Sequence, residues 1–130
     1  MLRRPVLVGL LAVSLALGSG FSSIASAAAP QDAAGGDAGA SIYGARCATC
    51  HRANGLGAQG GVFPALAGNA NVTASDSKEM LGTICRGRNM MPGWRERLSP
   101  GEIAAVATFI RSAWGNKAGP VSEEDVASVK

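Results

Sequence analysis

The five residues CATCH, at positions 47–51, are the feature that most constrains what this chain can fold into. They hold two of its three cysteines and its only histidine. A Cys47–Cys50 disulfide would be a redox motif of the thioredoxin type, which belongs between a strand and a helix, and no such alternation surrounds it. A zinc site needs about four ligands, so two thiols and one histidine leave it short. Neither interpretation accounts for all three side chains.

The pattern C-x-x-C-H is instead typical of the covalent attachment of c-type haem. A local turn can present both sulfurs along one edge of the porphyrin, where the thiols add across its vinyl groups and become thioethers. The next residue, His51, then lies beneath the iron, where an imidazole nitrogen serves as the proximal ligand. The motif therefore predicts one haem c, bound through Cys47 and Cys50, with His51 on the iron.

The N-terminal segment is predicted to be an export signal. Arg3 and Arg4 precede the apolar run 6–18, which is shorter than the roughly twenty residues that span a bilayer, and an A-x-A pattern predicts cleavage after Ala27. An uncleaved membrane anchor is the alternative. Because residues 1–27 contain two arginines and no acid, cleavage lowers the net charge from +3 to +1. We therefore expect a periplasmic protein with no stable membrane span, and no binding of nucleic acid.

Beyond the signal, the chain is expected to form one small domain. Residues 28–37 are small and polar and are predicted to be a flexible lead-in. The domain itself is predicted to span 38–116. Residues 117–130 are expected to be a mobile tail, in which Ser122 with Asp125 can cap a short helix.

Two predicted helices bracket the domain. The first is expected to run from about Ala38 into Cys47. The other begins at the stretch SPGE (99–102), which supplies a serine cap, a proline at the first helical position and a glutamate at the third. Apolar residues then recur at helical spacing as far as Trp114, and Gly115 ends the helix.

The segment 52–72 between these helices is rich in glycine and asparagine. No regular apolar period survives in it, which predicts a loop. So long a loop in a small domain is expected to wrap something. A haem would fill that role, with Val62, Phe63 and Leu66 packed against its face or edge.

A further helix is predicted from Asp76 to Gly87. Asp76 and Glu79 form a variant of the capping box, and the apolar residues that follow share one face. Cys85 lies on or beside that face and is expected to be a small buried thiol; a reactive thiol or an intermolecular disulfide is the alternative. No strand pattern is found. The predicted fold is all-α, with three to four short helices and long loops around one haem.

Few side chains are candidates for the sixth ligand of a haem iron. The chain has no second histidine, Tyr43 is too near the attachment site to reach the opposite face, and Met80 lies on a helical face expected to be core. Met90 and Met91 lie in a loop. Pro92 biases the residue before it towards an extended backbone, which favours Met91. The remaining alternative is that neither methionine binds iron.

The axial ligands separate two functions. A His51–Met91 pair would close both axial positions, favour ferrous iron and raise the reduction potential. It predicts a carrier of single electrons rather than an enzyme. A haem enzyme or gas sensor with an open or displaceable sixth position is the alternative, and a copper or thiol-redox protein without haem is a weaker third.

These motifs resemble the class I cytochrome c family, and more narrowly the cytochrome c domains of bacterial periplasmic dehydrogenases. The resemblance covers about residues 38–116 and rests on CATCH, FPALAGN (63–69), MMPGW (90–94) and LSPGEIAAVATFIRSAWGN (98–116). It implies a fold in which an N-terminal helix crosses a C-terminal one. It also implies that the Pro64 carbonyl orients the proximal histidine and that Leu66 packs on the ring.

Four arginines surround Met91 in the sequence: Arg86, Arg88, Arg95 and Arg97. They predict a basic collar near the haem edge that steers acidic redox partners, such as a dehydrogenase or an oxidase, into brief encounters. A solvated surface is the alternative. Haem propionates need cationic or hydrogen-bonding neighbours, and one of these arginines or Trp94 is expected to serve.

Overall fold

The computed structural model describes residues 31–58 and 60–130. The predicted export signal and the first residues of the predicted lead-in lie outside these ranges. Across the described ranges, none of the helices has both the length and the apolar character needed to cross a bilayer.

The described part of the chain is mostly helical, as predicted. Its elements are α1 Gln31–Arg46, α2 Ala48–His51, α3 Ala70–Thr73, α4 Lys78–Arg86, β1 Gly87–Arg88, β2 Met91–Pro92, α5 Pro100–Ser112 and α6 Glu123–Ser128. The two strands pair antiparallel, with Gly87 opposite Pro92 and Arg88 opposite Met91. They form a minimal hairpin that is too short to show an alternating sequence pattern.

Helix α1 begins at Gln31, earlier than the predicted start near Ala38. The segment 28–37, expected to be a flexible lead-in, is therefore helical from Gln31 onwards. Its glycines lower the helix propensity, but its alanines favour a helix, and packing outweighs propensity when a helix has a tertiary partner. That partner is α5, against which α1 makes its main contact.

The α1–α5 crossing is close because Gly39 has no side chain. A Cβ at Gly39 would overlap the Ala105 carbonyl oxygen and approach the Phe109 Cβ to 2.8 Å. Tyr43, Phe109 and Trp114 then form an aromatic cluster at this crossing, with ring centroids 4.9–5.5 Å apart. The helix crossing that the resemblance implied is thus present, and it fixes the position of the CATCH segment at the end of α1.

Helix α4 contributes much of the core, but it starts differently from the prediction. Ser77 is its N-cap and makes no side-chain capping bond. Asp76 Oδ1 instead accepts a hydrogen bond from the Lys78 amide at 2.9 Å, and Glu79 turns outward to the Asn71 amide group. The predicted Asp76–Glu79 capping box is therefore not formed. Cys85 is free and only 3% exposed, which confirms the prediction of a small buried thiol.

The remaining boundaries agree in part with the sequence. The Ser99–Glu102 capping box at the start of α5 is present. The predicted loop 52–72 ends in the short helix α3, which the Asn69 side chain caps by accepting from the Asn71 amide at 2.9 Å.

The C-terminal segment also forms its predicted short helix, and Ser122 and Asp125 make a full capping box at the start of α6. It is not a loose tail, however. Val121, Val126 and Val129 are buried in the core. Their burial against α4 and α5 is a tertiary contact that no local pattern signals.

Candidate functional site

Two adjoining cavities, of about 150 and 200 Å³, lie beside the CATCH segment. The residues that line both are Cys47, His51, Pro64, Thr83, Arg88, Met91 and Trp94. Because the two cavities share so many side chains, they form one crevice between α2, the 52–69 loop, α4 and the β-hairpin.

His51 is buried on one wall of this crevice, with 8% of its surface exposed. Its Nδ1 lies 3.0 Å from the Pro64 carbonyl oxygen. A carbonyl can only accept, so Nδ1 carries the proton and Nε2 keeps a lone pair for a metal. The hydrogen bond that the resemblance implied is therefore present, and it fixes both the tautomer and the orientation of the ring.

The loop that carries Pro64 is held in place by backbone hydrogen bonds. The Gly57 amide donates to the His51 carbonyl at 3.0 Å, and the Leu66 amide donates to the Gly55 carbonyl at 2.7 Å. Gly57 has φ +64°, and a Cβ there would lie 2.7 Å from the Pro64 carbonyl carbon. The loop thus passes so close to itself that only glycine fits at position 57.

Both CATCH cysteines are half-buried free thiols at this crevice. The single turn of α2 brings them together, with the His51 amide donating to the Cys47 carbonyl at 2.9 Å. Burial, and then the nearby Cys50, raise the pKa of Cys47 to about 11. The free Cys47 thiol is therefore protonated at neutral pH, and a thioether at this position would likewise be uncharged.

The first cavity is lined mainly by apolar side chains from α3, α4, α5 and the loops before α3 and α5. They are Leu66, Val72, Met80, Ile84, Leu98, Val106 and Ile110. Leu66, which is expected to pack on the haem, lines this cavity together with His51. Val62 and Phe63 line the second cavity instead, and Val62 is 63% exposed.

Three methionines occupy different places around the crevice. Met91, on β2, is half-buried and lines both cavities. Met90 lines only the second cavity and is 73% exposed, whereas Met80 lines only the first and is 7% exposed. Tyr43 lines neither, and its hydroxyl donates to the Arg52 carbonyl at 2.7 Å. Met91 is thus the methionine that shares the whole crevice with His51.

Trp94, a predicted neighbour of a haem propionate, lines both cavities. Its amide donates to the Ile84 carbonyl at 2.9 Å, which ties the end of the hairpin to α4. The Arg97 guanidinium lies 5.8 Å from the centre of the Trp94 ring, a cation–π geometry.

The four predicted arginines are all exposed, but only Arg88 lines the crevice, where it also pairs with Glu79 at 3.6 Å. Arg86 and Arg95 turn away and donate to backbone carbonyls of the C-terminal segment. Arg46, at the end of α1, lines the second cavity. Nothing in the sequence distinguished it from an ordinary surface arginine.

Two buried polar residues that support the site were missed by the sequence analysis. Arg111 donates from Nη1 to the Val72 carbonyl at 2.8 Å and from Nε to the Gly119 carbonyl at 2.7 Å. Asn116 donates to the Leu66 carbonyl at 3.1 Å and accepts from the Gly68 amide at 2.8 Å. Asn116 thereby ties the loop that carries Leu66 to the end of α5.

The crevice fits a haem c. One apolar space is bordered by two neighbouring thiols, an imidazole whose free nitrogen can ligate, and a thioether sulfur. A large, flat, apolar ring that is attached through two thioethers and holds an iron at its centre fits this space. The fold and the site therefore define a domain that binds one haem covalently through Cys47 and Cys50, that is, a cytochrome c domain.

Comparison with known protein families agrees with the assignment to the cytochrome c domains. The family model described as "Cytochrome C oxidase, cbb3-type, subunit III" matches residues 34–110. The chain belongs to this family of cytochrome c domains, whose members transfer electrons and are not themselves catalytic.

Similar proteins include cytochrome subunits of larger enzymes. The chain is 38% identical over 104 residues to "Alcohol dehydrogenase (quinone), cytochrome c subunit" of Gluconacetobacter polyoxogenes, which covers 71% of this chain and 22% of that protein. It is 37% identical over 93 residues to "Cbb3-type cytochrome c oxidase subunit FixP" of Azorhizobium caulinodans, covering 71% of this chain and 32% of that protein. The chain thus spans only about a fifth to a third of these relatives.

A solved structure supports the fold. The chain matches cytochrome cL of Methylophaga aminisulfidivorans with a TM-score of 0.55 and 30% sequence identity, covering 76% of this chain and 68% of that one. The predicted cytochrome c fold is therefore confirmed.

Proposed function

We propose that the mature protein is a single-electron carrier of the bacterial periplasm, in which His51 and Met91 are the two protein ligands of one haem iron. The observation that carries the proposal is that these two side chains line both cavities of the crevice. When bound, the haem supplies the one-electron couple. The protein's own task is to hold the ring, fix its ligands and exclude water.

The residues around the crevice suit that task. The Pro64 carbonyl accepts from His51 Nδ1 and orients the ring. Leu66, Ile84 and Val106 supply apolar surface that excludes water from the first cavity. A thioether from Met91 is a weaker electron donor than an imidazole, so it favours the reduced iron and raises the reduction potential. With His51 and Met91 both bound to the iron, no position would be left open, so electron transfer would be favoured over binding and activation of a small molecule.

The periplasmic location rests on the predicted export signal at residues 1–27. It also suits the thioether attachment of haem, which converts both thiols of the CATCH segment into thioethers, so that they cannot form disulfides in an oxidising compartment. The similar proteins named above are cytochrome subunits of a dehydrogenase and an oxidase. We therefore propose that the electron partners of this protein are a dehydrogenase, an oxidase, or one of each.

The docking surface for these partners is proposed to lie around the hairpin, near Arg86, Arg88, Arg95 and Arg97. All four are exposed. Arg88 also lines the crevice, and the neighbouring Met90 and Val62 are exposed apolar side chains at the second cavity. A basic surface with an apolar centre favours fast, brief encounters with acidic partners. If so, raising the ionic strength slows reduction of the protein by its partner, and Arg88→Gln weakens that salt dependence more than Lys117→Gln.

The ligand assignment is tested by optical spectroscopy of the haem-loaded protein. A sulfur ligand on ferric iron gives a weak far-red absorbance, which we expect in the wild type together with slow binding of carbon monoxide to the ferrous form. Met91→Ala should abolish the absorbance and speed carbon monoxide binding, because the sixth position opens.

Met90→Ala is the matched control, since it removes the adjacent methionine and should change neither property. A wild type without the far-red absorbance, and with rapid carbon monoxide binding, would instead favour a haem enzyme or gas sensor with an open sixth position. If the absorbance were lost in Met90→Ala and kept in Met91→Ala, Met90 would be the methionine that binds the iron.

A further inference from the structure

The C-terminal segment, residues 121–130, lies against the base of the hairpin that carries Met91. Arg86 is the last residue of α4, directly before β1, and Arg95 follows soon after β2. The Arg95 amide donates to the Cys85 carbonyl at 3.2 Å, so the two arginines lie side by side where the hairpin leaves the helix. Whatever holds these arginines therefore holds both ends of the hairpin.

Both guanidinium groups donate to carbonyls in the last turn of α6 or directly after it. Arg86 Nη1 donates to the Lys130 carbonyl. Arg95 Nη2 donates to the Val129 carbonyl and, at 3.3 Å, to that of Val126. A guanidinium that donates to a backbone carbonyl makes a charge-assisted hydrogen bond, which is stronger than one between neutral groups.

The segment is itself seated firmly enough to act as a support. Val126 is 1% exposed and Val129 is 7% exposed, and both belong to the main core. Val121 is buried too, and its amide donates to the Thr108 hydroxyl at 2.9 Å. Apolar burial therefore fixes the carbonyl end of α6 relative to α4 and α5, independently of the two arginines.

We propose that the segment 121–130 holds the Met91 hairpin in place over the crevice, with Arg86 and Arg95 as positioning residues. The proposal rests on the proposed binding of Met91 to the haem iron and deepens it. Neither arginine lines the crevice, so each acts only through the backbone of the hairpin. Breaking the arginine contacts should raise the population of molecules in which the Met91 sulfur is not bound to the iron, while His51 stays bound.

The test compares Arg86→Gln, Arg95→Gln and the double variant with the wild type, all loaded with haem. Glutamine keeps a donor but removes the charge, and Arg95→Lys restores the charge and should recover part of the effect. Lys117→Gln is the control, because it removes one positive charge from an exposed residue that lines neither cavity. Val126→Ala loosens the segment while leaving both arginines in place.

We expect carbon monoxide to bind the ferrous double variant about fivefold faster than the wild type, a change typical of a coupling between two sites. The far-red absorbance of the ferric form should weaken, and Val126→Ala should shift both properties in the same direction. Lys117→Gln should match the wild type. The melting temperature, measured in parallel, reports any loss of general stability.

Two results would overturn the proposal. In the first, the arginine variants melt at a lower temperature but keep the wild-type absorbance and carbon monoxide kinetics, so that the contacts only stabilise the fold. In the second, Lys117→Gln changes the kinetics as much as they do, so that net charge is the cause. Failure of the Met91 assignment is seen separately, because the wild type itself would then lack the far-red absorbance.

Discussion

His51 and Met91 line the same crevice, but they are held there by different means. His51 lies in a single turn of helix directly after the two attachment cysteines, and the Pro64 carbonyl fixes its ring. Met91 lies on a two-residue strand, next to a methionine that is 73% exposed. The side of the crevice that carries His51, the histidine wall, is thus determined by five consecutive residues and one loop. The side that carries Met91, the methionine wall, depends on contacts between residues that are distant in the sequence.

Substitutions at the two walls should therefore have different effects. Changes at the histidine wall should remove the cofactor or strain its attachment, because cofactor and ligand share one turn of backbone. Changes at the methionine wall should leave the cofactor bound and alter only the occupancy of the sixth position.

The largest effect is expected from removing the attachment thiols. In Cys47→Ala/Cys50→Ala, no haem should remain bound to the denatured chain, because no thioether can form. Haem staining after denaturing electrophoresis measures this. Cys85→Ala is the control and should stain like the wild type, since Cys85 is buried in the core and does not line the crevice. Haem retained by the double variant would contradict the assignment.

A strong effect is also expected from Gly57→Ala. Its Cβ would overlap the Phe63 carbonyl oxygen and press on the Pro64 carbonyl that binds His51. We expect a loss of about 2–4 kcal/mol in the free energy of unfolding, together with a shifted reduction potential. Denaturant titration and redox titration measure the two quantities.

Gly68→Ala is the matched control for that substitution. Its φ of +68° is close to the +64° of Gly57, but nothing lies within 4 Å of the added Cβ. It should cost about 1 kcal/mol from backbone strain and leave the potential unchanged. Equal effects on the potential from the two glycines would show that the Pro64 carbonyl does not tune His51.

A smaller effect is expected at the turn of the hairpin. Asn89 has φ +53°, which asparagine tolerates better than most residues. Asn89→Ala should destabilise the hairpin by about 1 kcal/mol and weaken the far-red absorbance, whereas Asn89→Gly should match the wild type. Haem staining should be unaffected in both. A loss of attachment in Asn89→Ala would mean that the two walls are not separable.

The smallest effect on the site is expected from Ser99→Ala. It removes the cap of α5 and should cost about 1 kcal/mol in the free energy of unfolding while leaving both walls intact. Hydrogen bonds from Ser99, first from its backbone amide, hold the pKa of Glu102 below its usual value. The stabilisation that these bonds give the folded state is fully present above the pKa of a glutamate in the unfolded chain. It is lost as the pH falls through the lower pKa of Glu102 in the folded state. Ser99→Ala keeps the backbone amide and removes only the smaller side-chain contribution, so it should flatten the acid limb of the stability profile only slightly, as thermal melts at several pH values would show.

The histidine wall could be predicted from the sequence because its information is local. Three reactive side chains in five residues have one common use, and the serine, proline and glutamate at 99–102 mark a helix start with their own side chains. The assignment of Met91 over Met90 also came from a neighbour, Pro92.

What could not be predicted depends on long-range contacts. Arg111 and Asn116 look like ordinary residues near a helix end, yet both are buried and bind carbonyls far away in the sequence. Likewise, the predicted Asp76–Glu79 cap fits the local pattern, but Glu79 is turned outward towards Asn71 and Arg88. Side chains with several equivalent partners can be placed only once the fold has brought those partners together.

Binding of Met91 to the haem iron is tested most directly by proton NMR of the reduced, haem-loaded protein with isotope-labelled methionine methyl groups. A methyl group bonded to the sulfur on the iron lies over the porphyrin, whose ring current shifts its resonance far upfield. We expect one such resonance, lost in Met91→Ala and kept in Met90→Ala and Met80→Ala. A wild type with no upfield methionine methyl, or one whose signal is lost with Met90 or Met80 instead, would contradict this assignment.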